Sequence, residues 1–353
     1  MQYARSSDGI SIAHWSFGGG DPIIYMAGGP WAHIDLWDVP ECRAWYRRLS
    51  EKSMIVRYDV RGTGLSEREV SDLSLEAGVS DLEAVAAQLA TARNTLFAAA
   101  DAGPVAIAYA VRHPERVSRL ILWCSWAKGA DINSPRLQAW RMLIDQDWVL
   151  MTDTCVQLAL GWSGSEVGRQ AADHLRESVT MEVMRASLEA ASAVDVTALV
   201  PQVKTPTLVI QRRGIPWLPV SIGSKLASSM QNARLVLLDG EATAPYVGDS
   251  ETAAKAVEEF LETGSKGIDL PPQVREHHAQ DEVTVSKGVP DGLTKREVEV
   301  LQLLAGGHTN NEVAETLVLS VRTVERHIGN IYGKIHARGR ADATAYALTR
   351  GIV

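Results

Sequence analysis

Apolar and polar positions along this chain follow two different rhythms. Up to about residue 262, short apolar runs of strand length alternate with stretches of helical period. The runs predict strands at Ile23–Met26, Met54–Tyr58, Thr95–Ala98, Leu120–Trp123, Thr207–Gln211 and Arg234–Leu238. Helices are predicted between most of them, among them Val79–Ala92 and Val105–His113. This alternation implies an α/β architecture, a doubly wound and mostly parallel sheet with helices on both faces. A long, largely helical insert breaks the rhythm between Asp131 and Leu199. From Gly264 to Gly292 the chain mixes Gly, Pro and charge with no sustained period, which reads as a linker.

After the linker the pattern is helical throughout and its start signals are strong. Thr294 with Glu297, and Thr309 with Glu312, match the capping box, in which the two side chains reciprocally satisfy free backbone N–H groups. Gly306-Gly307 separates the first two helices, and Ser320 caps a longer one. Along it Val324, Ile328, Ile331 and Ile335 form an apolar stripe, while Arg322, Arg326, Asn330 and Lys334 share another face with Gly329 and Gly333.

The length of 353 residues suggests two or three folded units. With 46% hydrophobic and 22% charged residues the composition excludes a disordered chain. No apolar run approaches the roughly 18 residues needed to span a bilayer. The start, MQYARSSDG, lacks the apolar core of a signal peptide, and Cys42, Cys124 and Cys155 are too few and scattered for a disulfide framework. A cytoplasmic protein without membrane contact is expected, and no residue spacing calls for a metal or cofactor. The net charge of −8 is unevenly placed: the segment Ser320–Val353 holds six basic and two acidic residues. A basic segment on an acidic chain is the electrostatic footprint of a nucleic-acid-binding module.

Residues 291–353 resemble the LuxR-type helix-turn-helix domain over its whole length. Leu293-Thr294, Glu299-Val300-Leu301, Glu312, Leu319-Ser320, Arg322-Thr323-Val324-Glu325, His327 and Asn330-Ile331-Tyr332 all stand at that family's spacing. The resemblance implies binding to double-stranded DNA, with Ser320–Ile335 as the recognition helix in the major groove. Glu325, Arg326 and Gly329 would lie nearest base edges, and Arg326 is the best candidate for reading a guanine. Arg322, Thr323, Asn330 and Lys334, with Thr309 and the cap residue Ser320, would set register on the phosphates. His327 is read as a packed helix residue without chemistry. The final helix, with Ala341, Ala345, Leu348 and Ile352 on one side, would pair two such domains as a homodimer, and RNA polymerase is an expected partner.

Residues 1–262 resemble the α/β-hydrolase fold, with the insert at about 128–198 as its helical cap and 263–290 as the linker. The resemblance rests on Asp8-Gly9 of an opening hairpin, Ala27-Gly28-Gly29-Pro30 and the turn Asp59-Val60-Arg61-Gly62-Thr63-Gly64-Leu65-Ser66. It also rests on Ala99-Ala100-Asp101-Ala102-Gly103 before a helix. A serine hydrolase reads G-x-S-x-G at that elbow. Here Asp101 is taken to stand at the serine position, Ile215 at that of the acid and Thr243 at that of the histidine. No histidine occurs between His174 and His277. The expected function is therefore non-catalytic: a transcription regulator whose hydrolase-like domain binds a small, largely apolar or aromatic effector and modulates DNA binding. The expected ligand contacts are Gly28, Gly29, Trp31, Asp101, Ala102, Trp126, Trp217 and Thr243, with N–H donors at Gly29 and Ala102. Arg212 and Arg213 are candidates for receiving an acidic group. The alternative is a hydrolase-type enzyme, or a covalent sensor using Asp101 as nucleophile, fused to the DNA-binding tail.

Overall fold

The computed structural model describes residues 1–28, 39–160, 166–263 and 292–353. These divide into two compact units, Met1–Asn133 with Asp173–Asp269, and Ser134–Ala172 with Leu270–Val353.

The first unit is built on eight strands: β1 (Gln2–Arg5), β2 (Ser11–Phe17), β3 (Asp21–Met26), β4 (Ser53–Tyr58), β5 (Asn94–Ala99), β6 (Val117–Trp123), β7 (Thr207–Arg212) and β8 (Ala233–Leu238). Their order across the sheet is β1-β2-β4-β3-β5-β6-β7-β8. The pairings of β1 with β2 and of β2 with β4 are antiparallel, and all the others are parallel. Every residue of β7 is buried, and all of β5 except the terminal Ala99. A strand covered on both faces reads in sequence as an unbroken apolar run, which is why these strands were predictable. All six predicted strands are present, each a little longer than its apolar run, and β1 and β2 form the opening hairpin that the resemblance implied around Asp8-Gly9.

Helices α1 (Pro40–Leu49), α2 (Leu75–Ala87), α3 (Ala102–Arg112) and α8 (Val220–Ser228) connect successive strands, and α9 (Ser250–Thr263) follows β8. Ser74 caps α2 by accepting a hydrogen bond from the Ala77 N–H, so that the helix begins at Leu75, four residues before the predicted Val79. The core is continuous from Ile24 and Val56 through Leu96 and Leu122 to Ile107 on α3 and Val85 on α2.

Four helices lie between β6 and β7: α4 (Pro135–Gln146), α5 (Trp148–Leu160), α6 (Glu166–Ser178) and α7 (Met181–Ala193). The unit boundaries fall within this insert, so that α4 and α5 belong to the second unit and α7 to the first.

The second unit also holds α10 (Lys295–Ala305), α11 (Asn310–Leu317), α12 (Val321–Ile335) and α13 (Arg340–Arg350). Their core gathers Val300, Leu301, Leu304, Val313, Val324 and Ile331 around Ala343 and Ala347. Both capping boxes form, and the Ser320 hydroxyl accepts from the Thr323 N–H at the start of α12. The segment expected as the linker lies outside the described residues except for Thr263, the last residue of α9. Among the described residues no helix is long and apolar enough to cross a membrane.

Candidate functional site

The face of α12 opposite its buried Val324 and Ile331 is open to solvent. Ser320, Arg322, Glu325, Arg326, Gly329 and Asn330 are exposed along α12 and Thr323 is half-buried, while Thr309, also exposed, is the cap residue of α11. Arg322 and Arg326 make no ion pair among the described residues. A Cβ added at Gly329 or Gly333 would meet nothing within 4 Å. These glycines are not demanded by packing inside the described chain; they leave a low surface beside Arg326 that permits close approach of another molecule. The hydroxyls of Thr309 and Ser320 are occupied in capping α11 and α12.

Lys334 departs from the expected arrangement. Its ammonium lies 2.6 Å from Glu297 Oε2, so the charge assigned to a phosphate instead ties α12 to the start of α10. The partners are 37 residues apart, and helical spacing within α12 carries no trace of such a pairing. Burial works against ionisation of Glu297, yet Lys334 and the Thr294 N–H hold its carboxyl at about 2, below the ordinary 4.5. A depressed carboxylate stabilises the folded form fully above its unfolded pKa, and that contribution is lost as the pH falls from 4.5 toward 2. Glu297→Gln is expected to cost the helical tail about 2–3 kcal/mol near neutral pH. It should also flatten the acid dependence of amide exchange in α10 and α12, measured by peptide mass.

The turn from β5 into α3 corrects the elbow reading. The residue forced into the left-handed region is Ala100, with φ 47, whereas Asp101 has φ −70 and occupies the N-cap position of α3. In the α/β-hydrolase elbow the strained position is the one that presents the nucleophile, so a methyl group stands there and Asp101 follows it. By the same geometry the N–H directly after the strained residue is that of Asp101, not Ala102. Neighbouring glycines are required by crowding. A Cβ at Gly28 would come within 2.7 Å of Asp101 Oδ1, and one at Gly103 within 1.7 Å of Ser125 Oγ.

A cavity of about 130 Å³ opens beside this turn, lined by Met26, Ala27, Asp101 and Ala102 and, from α7, by Ala190 and Val194 among others. Of the expected ligand contacts, Asp101 and Ala102 reach it, and Gly28 lies against Asp101. Trp126 and Trp217 do not line it; they pair edge to face with centroids 6.1 Å apart. The Thr243 carbonyl accepts from Trp123 Nε1 at 2.6 Å, and Ile215 is buried. Gly29 and Trp31 lie outside the described residues.

Arg212 is also corrected. It is 1% exposed, stacks over Trp123, and donates to the carbonyls of Ala242, Ala244, Pro245 and Val247. It holds the loop that carries Thr243; the donors used are both terminal nitrogens, and the remaining Nε is buried away from any outside acid. Arg213 lies 3.8 Å from the exposed Asp239.

The cavity wall contains a charged cluster that sequence reasoning passed over. The Arg61 guanidinium is bidentate to Asp81 at 2.7 and 2.9 Å and reaches Asp8 at 2.7 and 3.1 Å. Arg61 pulls the Asp8 carboxyl down to about 2, while burial pushes that of Asp81 up. The signal was present in the Asp59–Ser66 turn, where an arginine amid small residues needs buried acids to satisfy it.

Comparison with known proteins finds two families along the chain. The family model for bacterial regulatory proteins of the luxR family matches residues 291–347, and that for TAP-like proteins matches 167–269. A putative carbamate hydrolase, RutD of Rhizobium rhizogenes, is 31% identical over 227 residues, covering 62% of this chain and 86% of that protein. The uncharacterized transcriptional regulatory protein YxjL of Bacillus subtilis is 25% identical over 187 residues, 48% of this chain and 86% of its own. An esterase from Exiguobacterium antarcticum superposes with a TM-score of 0.65 at 17% identity, over 74% of this chain and 99% of the esterase, a likeness of fold. The chain thus carries a LuxR-type helix-turn-helix domain at residues 291–347, joined to a domain of the α/β-hydrolase family.

Proposed function

We propose that the hydrolase-like domain is a non-catalytic receptor whose small-molecule ligand modulates DNA binding by the tail. The observation that carries this reading is Ala100: the strained turn that would present a nucleophile presents a methyl group. The other two triad positions, Ile215 and Thr243, offer neither an acid nor a base. A void of about 150 Å³ suffices for a benzene-sized guest. The cavity beside Asp101, at about 130 Å³, is close to that size and takes a compact, largely apolar body with one polar end facing the Asp101 turn. The working state on DNA is a homodimer, with RNA polymerase as the recruited or excluded partner.

The test is a panel of small aromatic acids, esters, lactones and haloalkanes, read by thermal shift, intact mass, product release and DNA affinity. Expected are a stabilised protein for at least one compound, an unchanged mass, no product, and an altered Kd for DNA. A lasting adduct on Asp101 would replace this reading with covalent sensing. Sustained turnover would make the protein an enzyme.

A further inference from the structure

Alternate residues of a strand face opposite sides of a sheet. Met26 of β3 and Tyr58 of β4 line the cavity beside Asp101. Ile23 and Ser53, at odd spacing from them on the same strands, therefore face the other side. There a larger cavity, of about 650 Å³, lies at the amino ends of β3, β4, β5 and β6. Ile23, Ser53, Thr95 and Arg119 line it from the strands, and residues of α1 and α9 line it from the helices. The register places Thr95 between Ile23 and Arg119 on adjacent strands. Thr95 and Ala99 stand at opposite ends of β5, so roughly 13 Å of strand separates this cavity from the turn that carries Asp101.

The helical side of this cavity is balanced in charge. On α9, Glu258 accepts from Arg48 at 2.5 and 3.0 Å, Glu251 is shared by Arg48 and Lys255, and Glu262 meets Lys52 at 2.7 Å. Three carboxylates thus face three cations. Asp21 and Glu51, the other acids of the lining, are exposed, and so is Arg47; water screens all three. Arg119 is different. It is half-buried, its Nε is covered without an acceptor, and it makes no hydrogen bond or ion pair among the described residues. Ser53 is 7% exposed and its hydroxyl also has no partner among the described residues. The hydroxyl of buried Thr95 lies 3.3 Å from that of Ser118. A guanidinium that gives up part of its hydration and gains no carboxylate is left with unmet donors, which an anion would satisfy.

We propose that this cavity is a ligand site in its own right, for a small organic anion whose carboxylate or phosphate is taken by Arg119. The planar guanidinium matches both groups through paired N–H donors. Ser53 and Thr95 add hydroxyls from neighbouring strands, and Ile23, Ala44 and Leu49 give an apolar body its surface. The volume falls within the roughly 300–1,000 Å³ of ligand pockets. The site does not rest on the receptor reading. It lies on the other face and at the other end of the sheet, and it uses neither Asp101 nor any triad position.

The test titrates the full chain with benzoate, succinate, phenyl phosphate and glycerol 3-phosphate at fixed ionic strength, with benzamide as the neutral counterpart. Thermal shift gives affinity, and amide exchange by peptide mass locates the protection. At least one anion is expected to raise the melting temperature and slow exchange at the amino ends of β3 to β6, while benzamide changes neither. Whether carboxylates, phosphates or both respond identifies the headgroup. Arg119→Met keeps the apolar stem and removes the donors, so it should weaken anion binding at least about tenfold. Without ligand this variant should melt no lower than wild type, because no partner is lost. A ligand-free variant that melts several degrees lower would show a structural arginine and overturn the proposal. Silence from all four anions, or an equal response to benzamide, would do the same. An aromatic acid that binds Arg119→Met as tightly as wild type and protects the Asp101 turn would support the receptor reading and sink this one.

Discussion

Replacing Arg326 by alanine is expected to weaken binding to the specific DNA site by about ten- to a hundredfold, the size of one lost bidentate base contact. Arg326 is exposed on α12, has no ion pair among the described residues, and sits beside the bare surface at Gly329. Nothing in the fold depends on its charge, so thermal stability should be unchanged, and the whole effect should appear in recognition. The signature is relaxed preference at one base position, measured by binding to a set of single-base variants of the site. Arg322→Ala provides the contrast. A phosphate contact should lose affinity about equally for every sequence and lower the slope of log Kd against log salt by about one. Equal losses from Arg326→Ala on specific and random duplexes would move the readout elsewhere on α12.

Arg61→Met is expected to destabilise the hydrolase-like unit by about 3–5 kcal/mol, because it leaves Asp81 buried without its cation. Asp81 is 1% exposed, and Asp8 is held near the surface by the same guanidinium. The sign with pH follows from the directions already found. Burial raises the Asp81 pKa even with Arg61 present, and without Arg61 the rise becomes larger. A carboxyl whose folded pKa is raised favours folding at low pH and loses that contribution as the pH rises. The deficit of the variant should therefore be largest at neutral pH and shrink on acidification. Adding Asp81→Asn should recover much of it. Amide exchange of peptides from α2 and β5 in increasing urea reports on this unit, whereas tryptophan fluorescence would also report on the second unit through Trp140 and Trp148.

What could be read from sequence were features with local causes. Strands buried on both faces appear as unbroken apolar runs, and the capping residues Thr294, Thr309 and Ser320 announce helix starts within three residues of themselves. β2 was harder because it runs antiparallel near the sheet's edge and mixes polar with apolar residues, as in His14-Trp15-Ser16. The elbow was misread by one position for a physical reason. In Ala99-Ala100-Asp101-Ala102 only one side chain is conspicuous, whereas the strained position is set by backbone geometry, which a row of small residues does not reveal. Lys334 and Arg212 were misassigned for a related reason. Their partners, Glu297 and the carbonyls of the Ala242–Val247 loop, are distant in sequence, and an arginine or lysine looks available until the fold shows what it holds. The burial of Ala345 and Leu348 within one chain belongs to the same class, since an apolar stripe states that it will be buried but not by which element.

The bare positions on α12 carry a consequence for how the domain can evolve. Glycine inside a helix costs about 1 kcal/mol relative to alanine, and at Gly329 and Gly333 a methyl group would meet no neighbour. Both sites thus offer immediate gains to any search for heat tolerance. A population selected for stability alone would fill them first, and would acquire a firmer helix that stands farther from the groove. Keeping them empty is a standing concession of robustness to access, made on a surface where the chain is expected to meet another molecule closely.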